Sequence, residues 1–330
     1  MDKIRLVDTY SRHLKYLRVS VTDRCNLRCS YCMPRNLIPK MSHEDILTYE
    51  EILRVVKIGI RLGITKVRIT GGEPLIRKGI FDFLKALCAV KGLSDISLTT
   101  NGVTLEKNIH LIKEAGIKRL NISLDTLDRD RFKRITGRDS FNRVWQGILA
   151  AHDLGFKPLK INVVALAGIN DDEFEKMARL IFEYPFHVRF IEHMPIGKND
   201  IATKGRLLTP DIKKRIEAIG ELSPVKPGKT DGPAERFRVK GATGEIGFIS
   251  ALSRHFCGTC NRLRLTAGGQ LRPCLLSDRQ VDLKKCLRGK GTDDEIIELF
   301  ISAVKLKQAK HGLAGGIPSK ITGQMSSIGG

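Results

Sequence analysis

Six strand-like runs, each followed by a helix-like stretch, constrain this 330-residue chain more than any other feature. The strand runs are Tyr16–Thr22, Lys66–Thr70, Asp95–Thr100, Arg119–Asp125, Lys160–Ala165 and Val188–His193. Between them lie amphipathic segments at helical spacing: Glu50–Leu62, Ile80–Val90, Glu106–Ala115, Asn142–Leu154 and Asp171–Glu183. Alternation of this kind predicts an α/β fold with a parallel sheet. Six units are too few to close an eight-stranded barrel, so the expected architecture is a partial, open (β/α)6 TIM-type barrel. The rhythm stops near residue 200. Beyond it, Ser223–Glu235 reads as a linker or exposed loop. Short strands are expected at Arg236–Val239, Glu245–Ile249, Arg262–Thr266 and Leu271–Cys274, followed by a helix over Asp293–Leu306. The chain therefore divides into a barrel region, 1–200, and a C-terminal α+β extension, 201–330.

In barrel folds of this type, reactive residues sit where strands end and loops begin. The informative motifs obey that rule. Thr70-Gly71-Gly72-Glu73-Pro74 follows the second strand, Thr99-Thr100-Asn101-Gly102 closes the third, Ser123-Leu124-Asp125 the fourth and His193-Met194-Pro195 the sixth.

Six of the eight cysteines fall into two triads. The first is Cys25-x3-Cys29-x2-Cys32, on the loop after the first strand. The second is Cys257-x2-Cys260-x13-Cys274. The opening Met1-Asp2-Lys3-Ile4-Arg5 leads into no apolar signal core, and no apolar run approaches the roughly 18 residues of a membrane span. A cytoplasmic protein is expected, and there such triads read as metal ligands rather than disulfides. Three thiolates leave a four-iron cluster one ligand short, which marks a reactive site rather than a structural one. A zinc loop would want a fourth ligand, and the nearest histidine, His43, is eleven residues past Cys32. Cys88 falls on an apolar helical stripe and reads as core. Cys286, beside Lys284, Lys285 and Arg288, has neighbours that would stabilise a thiolate, but reads as structural.

The net charge of +21 admits either a basic soluble surface or a polyanionic partner. The placement of arginines favours the second. Arg262 and Arg264 alternate along a strand beside Cys260, so both leave on one face. Arg18 lies on the strand leading to the first triad, Arg68 alternates with Thr70, and Lys160 opens the fifth strand. Guanidinium forks suit phosphate oxygens.

The stretch from Arg18 to Met33-Pro34 resembles the cluster loop of radical S-adenosylmethionine enzymes, and Gly71-Gly72-Glu73-Pro74 resembles their methionine-binding loop. The segment Phe256-Cys257-Gly258-Thr259-Cys260-Asn261-Arg262-Leu263-Arg264-Leu265-Thr266, with Pro273-Cys274-Leu275, resembles the auxiliary-cluster segment of the GTP 3',8-cyclases, the molybdenum-cofactor biosynthesis protein A family. The resemblance spans essentially the whole chain, down to the terminal Gly329-Gly330. It implies two 4Fe–4S clusters and S-adenosylmethionine as cofactors, and GTP as substrate. Cys25, Cys29 and Cys32 would hold the first cluster. Cys257, Cys260 and Cys274 would hold the second, in the C-terminal extension. Tyr31, Gly72, Ser123 and Met194 would contact S-adenosylmethionine. Arg18, Arg68, Thr99, Lys160, Arg262, Leu263 and Arg264 would contact GTP, with Arg18, Arg262 and Arg264 the residues on which catalysis most depends. The Gly-Gly tail would reach toward the active site. An external electron donor, cyclic pyranopterin monophosphate synthase as the next enzyme, and a homodimer are also compatible with the family. A radical enzyme acting on RNA or a peptide is the alternative reading. Against that alternative, no appended RNA-binding module is visible, and the Cys-Asn-Arg-Leu-Arg segment suits a nucleotide better; a zinc-stabilised nucleic-acid binder, which would carry zinc and no sulfide, is a third reading.

Overall fold

The computed structural model describes residues 5–33, 40–197, 203, 205–228, 232–312, 321 and 324–329. The division placed at residue 200, and Gly330 of the tail, lie outside them. The six barrel strands are β1 (Tyr16–Ser20), β2 (Lys66–Thr70), β3 (Asp95–Thr100), β4 (Arg119–Ser123), β5 (Leu159–Ala165) and β6 (His187–Glu192). They pair in that order, all parallel. Their helix-facing residues are apolar and almost wholly buried, among them Leu17, Val19, Val67, Ile69, Leu98, Ile122, Ile161 and Phe190. The alternate residues, among them Arg68, Lys160 and Arg189, turn to the other face and are buried there, inside the barrel.

Helices α1 (Tyr49–Arg61), α2 (Ile80–Cys88) and α3 (Leu105–Glu114) form where the sequence pattern places them. Among the described residues, four helices were not expected, two of them before residue 220 and two short ones in the C-terminal region. After β4 the chain makes α4 (Arg129–Thr136) before α5 (Phe141–Asp153). The signals for α4 are Asp128, whose side chain caps the Arg131 amide, and Gly137 in the left-handed C-cap conformation. Its eight residues are strongly polar, so the apolar periodicity is short. After α6 (Phe174–Glu183) and β6 comes α7 (Thr209–Ile216), with Pro210 in its first turn.

The C-terminal region does not form a separate sheet. It contributes β7 (Ser223–Pro224), β8 (Glu235–Arg238), β9 (Glu245–Ile249), β10 (Arg262–Leu265), β11 (Gln270–Arg272) and β12 (Val281–Asp282) to one twelve-stranded sheet. Part of the segment read as a linker is thus an edge strand, since β7 pairs with β8. Strand β9 docks parallel to β6 at one edge of the barrel, and β10 docks parallel to β1 at the other. Side chains from β10, β6 and β9 line a single cavity, so the row curls into an open barrel. Behind β10–β12 lie α8 (Lys284–Arg288) and α9 (Asp293–Lys305), the latter started by a Thr292–Glu295 capping box. The chain returns as α10 (Met325–Ile328).

Glu192 fixes the join at the β6 edge. Fully buried, it accepts from the amides of Thr209 (2.8 Å), Leu252 (2.6 Å) and Ser253 (2.9 Å), pinning the segment that runs on to Cys257. Phe248 on β9 is also fully buried, stacked 6.3 Å from Phe190 and edge-on to Phe237 at 5.6 Å. Phe248→Ala should cost about 3–5 kcal/mol in denaturant unfolding, the usual range for an aromatic removed from a packed core. An unchanged midpoint would show that β9 is not integral to the sheet.

Candidate active site

One cavity running along the inside of the barrel is lined by all six triad cysteines, the first triad after the C-terminal end of β1 and the second beside the N-terminal end of β10. It is also lined by Arg18, Arg68, Lys160, Arg189, Arg262 and Arg264, and by no carboxylate among the described residues. Strand register explains the cations. Arg18 on β1 lies directly opposite Arg264 on β10 and Arg68 on β2. Same-register residues of parallel neighbours point to the same face, so three guanidiniums stand in a row on adjacent strands. Like charges so placed repel. Burial, followed by repulsion from its neighbours, lowers Arg264 well below its ordinary value. Arg18 is lowered to about 10, again chiefly by burial, and Arg189 to about 9 by burial and then Arg68. Part of this charge is accounted for within the protein. Arg68 Nε donates to Ser97 Oγ at 3.2 Å and Arg189 Nη2 to Asn121 Oδ1 at 2.7 Å. Those partners are neutral, and a bound polyanion would relieve the crowding.

Tyr16 lies inside this ring of cations, with Lys66 Nζ 5.1 Å and Arg68 Cζ 5.6 Å from its ring centre. Burial raises its phenol, but Arg68, Arg18, Lys66 and Arg262 together outweigh that and bring it down. Tyr16 Oη and Thr99 Oγ1 are buried with no hydrogen-bond partner among the described residues, as expected of atoms left for a ligand.

The first triad sits on the loop after β1. Its backbone is tied to the end of α4, with the Arg28 amide donating to Thr136 O at 2.8 Å and the Ser30 amide to Ile135 O at 2.9 Å. Cys25 Sγ accepts from the Leu27 amide at 3.4 Å and from Asn101 Nδ2 at 3.5 Å. Burial pushes Cys25 up to about 11 and Cys32 up to about 12, and raises Cys29 well above its ordinary value, with the neighbouring sulfurs adding to the shift in Cys29 and Cys32. Three buried thiols that repel each other as thiolates call for a cationic centre. No three His, Cys, Asp or Glu side chains among the described residues converge as ligands of a single ion would. A cubane makes no such demand, because each iron takes its own sulfur. In the second triad burial raises Cys260, but Arg262 and Lys307 outweigh it and bring the thiol down to about 6. Both donor sets fit a cluster.

Gly71 and Gly72 are required by the cysteine loop itself. A methyl carbon on Gly71 would lie 2.8 Å from Thr22 O, and one on Gly72 would overlap the Arg24 carbonyl. The Gly72 amide donates to Thr22 O and the Glu73 amide to Arg24 O, both at 2.7 Å. Glu73 accepts from the Leu75 amide (3.1 Å), Thr100 Oγ1 (2.8 Å) and the Asn101 amide (2.6 Å), binding the ends of β2 and β3 together. Tyr31 Oη donates to Asp125 Oδ2 at 2.8 Å. Tyr31, Gly72, Ser123 and Met194 all line the cavity.

Leu263 is different. Its side chain is fully buried in the core, on the face opposite Arg262 and Arg264, leaving only its backbone to meet a ligand. The tail arrives as anticipated. Arg264 Nη1 donates to Gly329 O at 2.6 Å, and Gly329 has φ of +78° with a would-be side chain overlapping Thr70 Oγ1. Only glycine fits both the conformation and the gap. At Cys286 burial and then Glu295 raise the thiol, so the basic neighbours Lys284, Lys285 and Arg288 do not draw it down, and the structural reading stands unopposed. Sequence reasoning also passed over Tyr16 and Arg189. An arginine between Val188 and Phe190 in a buried strand was the available signal.

A sheet of this topology with two cysteine triads sharing one cavity defines a class, the radical S-adenosylmethionine fold. The Radical SAM superfamily profile matches residues 19–181, and the Molybdenum Cofactor Synthesis C profile matches residues 186–313. The crystal structure of Streptococcus suis SuiB shares the fold, with a TM-score of 0.65 at 15% identity over 93% of this chain and 68% of that one. Native anSMEcpe with bound AdoMet gives 0.54 at 15% identity, over 91% and 94%. GTP 3',8-cyclase of Moorella thermoacetica is 48% identical over 98% of this chain and 99% of its own. That of Thermodesulfovibrio yellowstonii is 49% identical over 98% and 99%. The chain belongs to the GTP 3',8-cyclase family of the radical S-adenosylmethionine superfamily.

Gly72→Ala should force the cysteine loop to move. We expect iron bound at the first triad to fall at least severalfold while the second triad keeps its iron, read by metal analysis with electron paramagnetic resonance. Full occupancy at the first triad would contradict the backbone contact.

Proposed function

We infer that the chain converts GTP to (8S)-3',8-cyclo-7,8-dihydroguanosine 5'-triphosphate, the first step of molybdenum cofactor biosynthesis. The observation that carries this reading is the row Arg264–Arg18–Arg68 in a cavity shared by both triads. A triphosphate supplies about four negative charges to set against the crowded guanidiniums. When bound, two 4Fe–4S clusters and S-adenosylmethionine supply the radical chemistry.

The protein's own residues then have geometric tasks. Cys25, Cys29 and Cys32 hold one cluster, and Cys257, Cys260 and Cys274 the other. Tyr31, Gly72, Ser123 and Met194 shape the S-adenosylmethionine site, with Tyr31 oriented by Asp125. Arg18, Arg68, Lys160, Arg262 and Arg264 hold the phosphates and orient the nucleotide, with Thr99 Oγ1 offering a neutral contact. We add Arg189 to this set. The backbone around Leu263 faces the same ligand. Fixing the ribose against the radical source while clamping the other end turns a demanding encounter into a positioned one. The tail, with Gly329 against Arg264, closes part of the cavity and limits water.

No helix among the described residues is long and apolar enough to cross a membrane. A cytoplasmic setting, an external electron donor, hand-over of product to cyclic pyranopterin monophosphate synthase, and a homodimer rest on the family resemblance. The assignment is tested by reconstituting the clusters and adding reductant, S-adenosylmethionine and GTP, then identifying products by mass. The cyclised triphosphate is expected. Turnover only with RNA or a peptide would overturn it.

Arg189→Met should raise the KM for GTP roughly 10- to 100-fold, as losing one charge-assisted hydrogen bond costs about 1.5–3 kcal/mol. Iron content should be unchanged. A KM at the wild-type value would remove Arg189 from the binding set.

A further inference from the structure

Lys307, two residues past the end of α9, is 4% exposed. Its ammonium has three protons and meets three acceptors: Pro273 O at 2.8 Å, Arg262 O at 3.1 Å and Cys260 Sγ at 3.6 Å. Two of these are neutral carbonyls and the third is a triad sulfur. Burying an ammonium is costly unless an anion compensates, and a methionine would fill the same space without that cost. The one partner able to carry negative charge is the sulfur.

The contacts also span the triad. Pro273 precedes Cys274, and Arg262 follows Cys260 by two residues, so one side chain ties both stretches together. The third cysteine is held from the same turn. Arg12, 6% exposed and paired with Asp8 at 2.6 Å, donates from Nη1 to Cys257 O at 2.6 Å and from Nη2 to Gln308 O at 2.7 Å. Lys307 and Gln308 are thus the spine against which all three cysteine-bearing segments are set.

We propose that Lys307 is a positioning residue of the auxiliary cysteine site. It holds Cys260 and Cys274 in register and gives the Cys260 sulfur a charged hydrogen-bond donor, which raises the reduction potential of the cluster bound there. Hydrogen bonds to cluster sulfurs and nearby charge are known levers on potential. The proposal rests on the reading that this triad ligates a cluster.

The test uses the reconstituted full-length protein as wild type, Lys307→Met and Lys307→Arg. Iron release to a chelator and potentiometric titration followed by electron paramagnetic resonance are read for both clusters, the first serving as internal reference. In Lys307→Met the auxiliary cluster should lose iron about tenfold faster. Its potential should shift negative, while the first cluster keeps its signal and potential. Lys307→Arg, which retains the charge, should recover part of the shift. Wild-type release rate and potential in Lys307→Met would overturn the proposal. If that variant fails to fold, shown by loss of the first cluster as well, Lys307→Gln is read against the same two outcomes. A wild-type protein carrying only one cluster would instead defeat the reading of the second triad.

Discussion

Three guanidiniums held at one register on adjacent parallel strands are the constraint on which the site depends. Arg264, Arg18 and Arg68 are brought together by the pairing of β10 with β1 and of β1 with β2. The sheet leaves them no room to separate, and burial strips away much of the water that would screen them. Such a row favours a compact polyanion over a neutral ligand. The same pairing carries the second triad, since Cys260 lies just before β10 and the first triad just after β1. The two pairings of β1 therefore build the anion row, and its pairing with β10 sets the two triads at opposite ends of one cavity.

Backbone proximity does the rest. Gly71 and Gly72 let the end of β2 lie against the loop of the first triad, while Glu73 binds β2 to β3. Gly329 lets the tail lie close against the ends of β1 and β2, at Ser20 and Thr70, and reach Arg264. These contacts are short because no side chain intervenes, so they transmit displacement directly. The cysteine loop, the cation row and the tail are consequently one mechanical unit.

The parts legible in the sequence were those with local signatures. Cysteine spacing, strand-end motifs and alternating Arg262 and Arg264 needed no knowledge of tertiary pairing. The six barrel strands were readable because apolar residues facing the helices alternate with polar ones facing the cavity, as in Leu17, Arg18 and Val19 or Val67, Arg68 and Ile69. What stayed hidden depends on distance along the chain. Nothing near Arg262 announces that it will pair with Tyr16, and nothing near Glu245 that it will pair with His187. Helix α4 was missed because its single buried stripe is only two turns long. Lys307 looked like any other of the 57 basic residues until its three acceptors were seen around it. Leu263 was legible as a member of a motif, but not as a core side chain.

The most direct measurement is equilibrium binding of GTP, GDP, GMP and guanosine to the reconstituted protein at two salt concentrations. A site organised around crowded guanidiniums should lose affinity with each phosphate removed, and the loss should shrink at high salt. Guanosine binding as tightly as GTP, with no dependence on salt, would contradict the account.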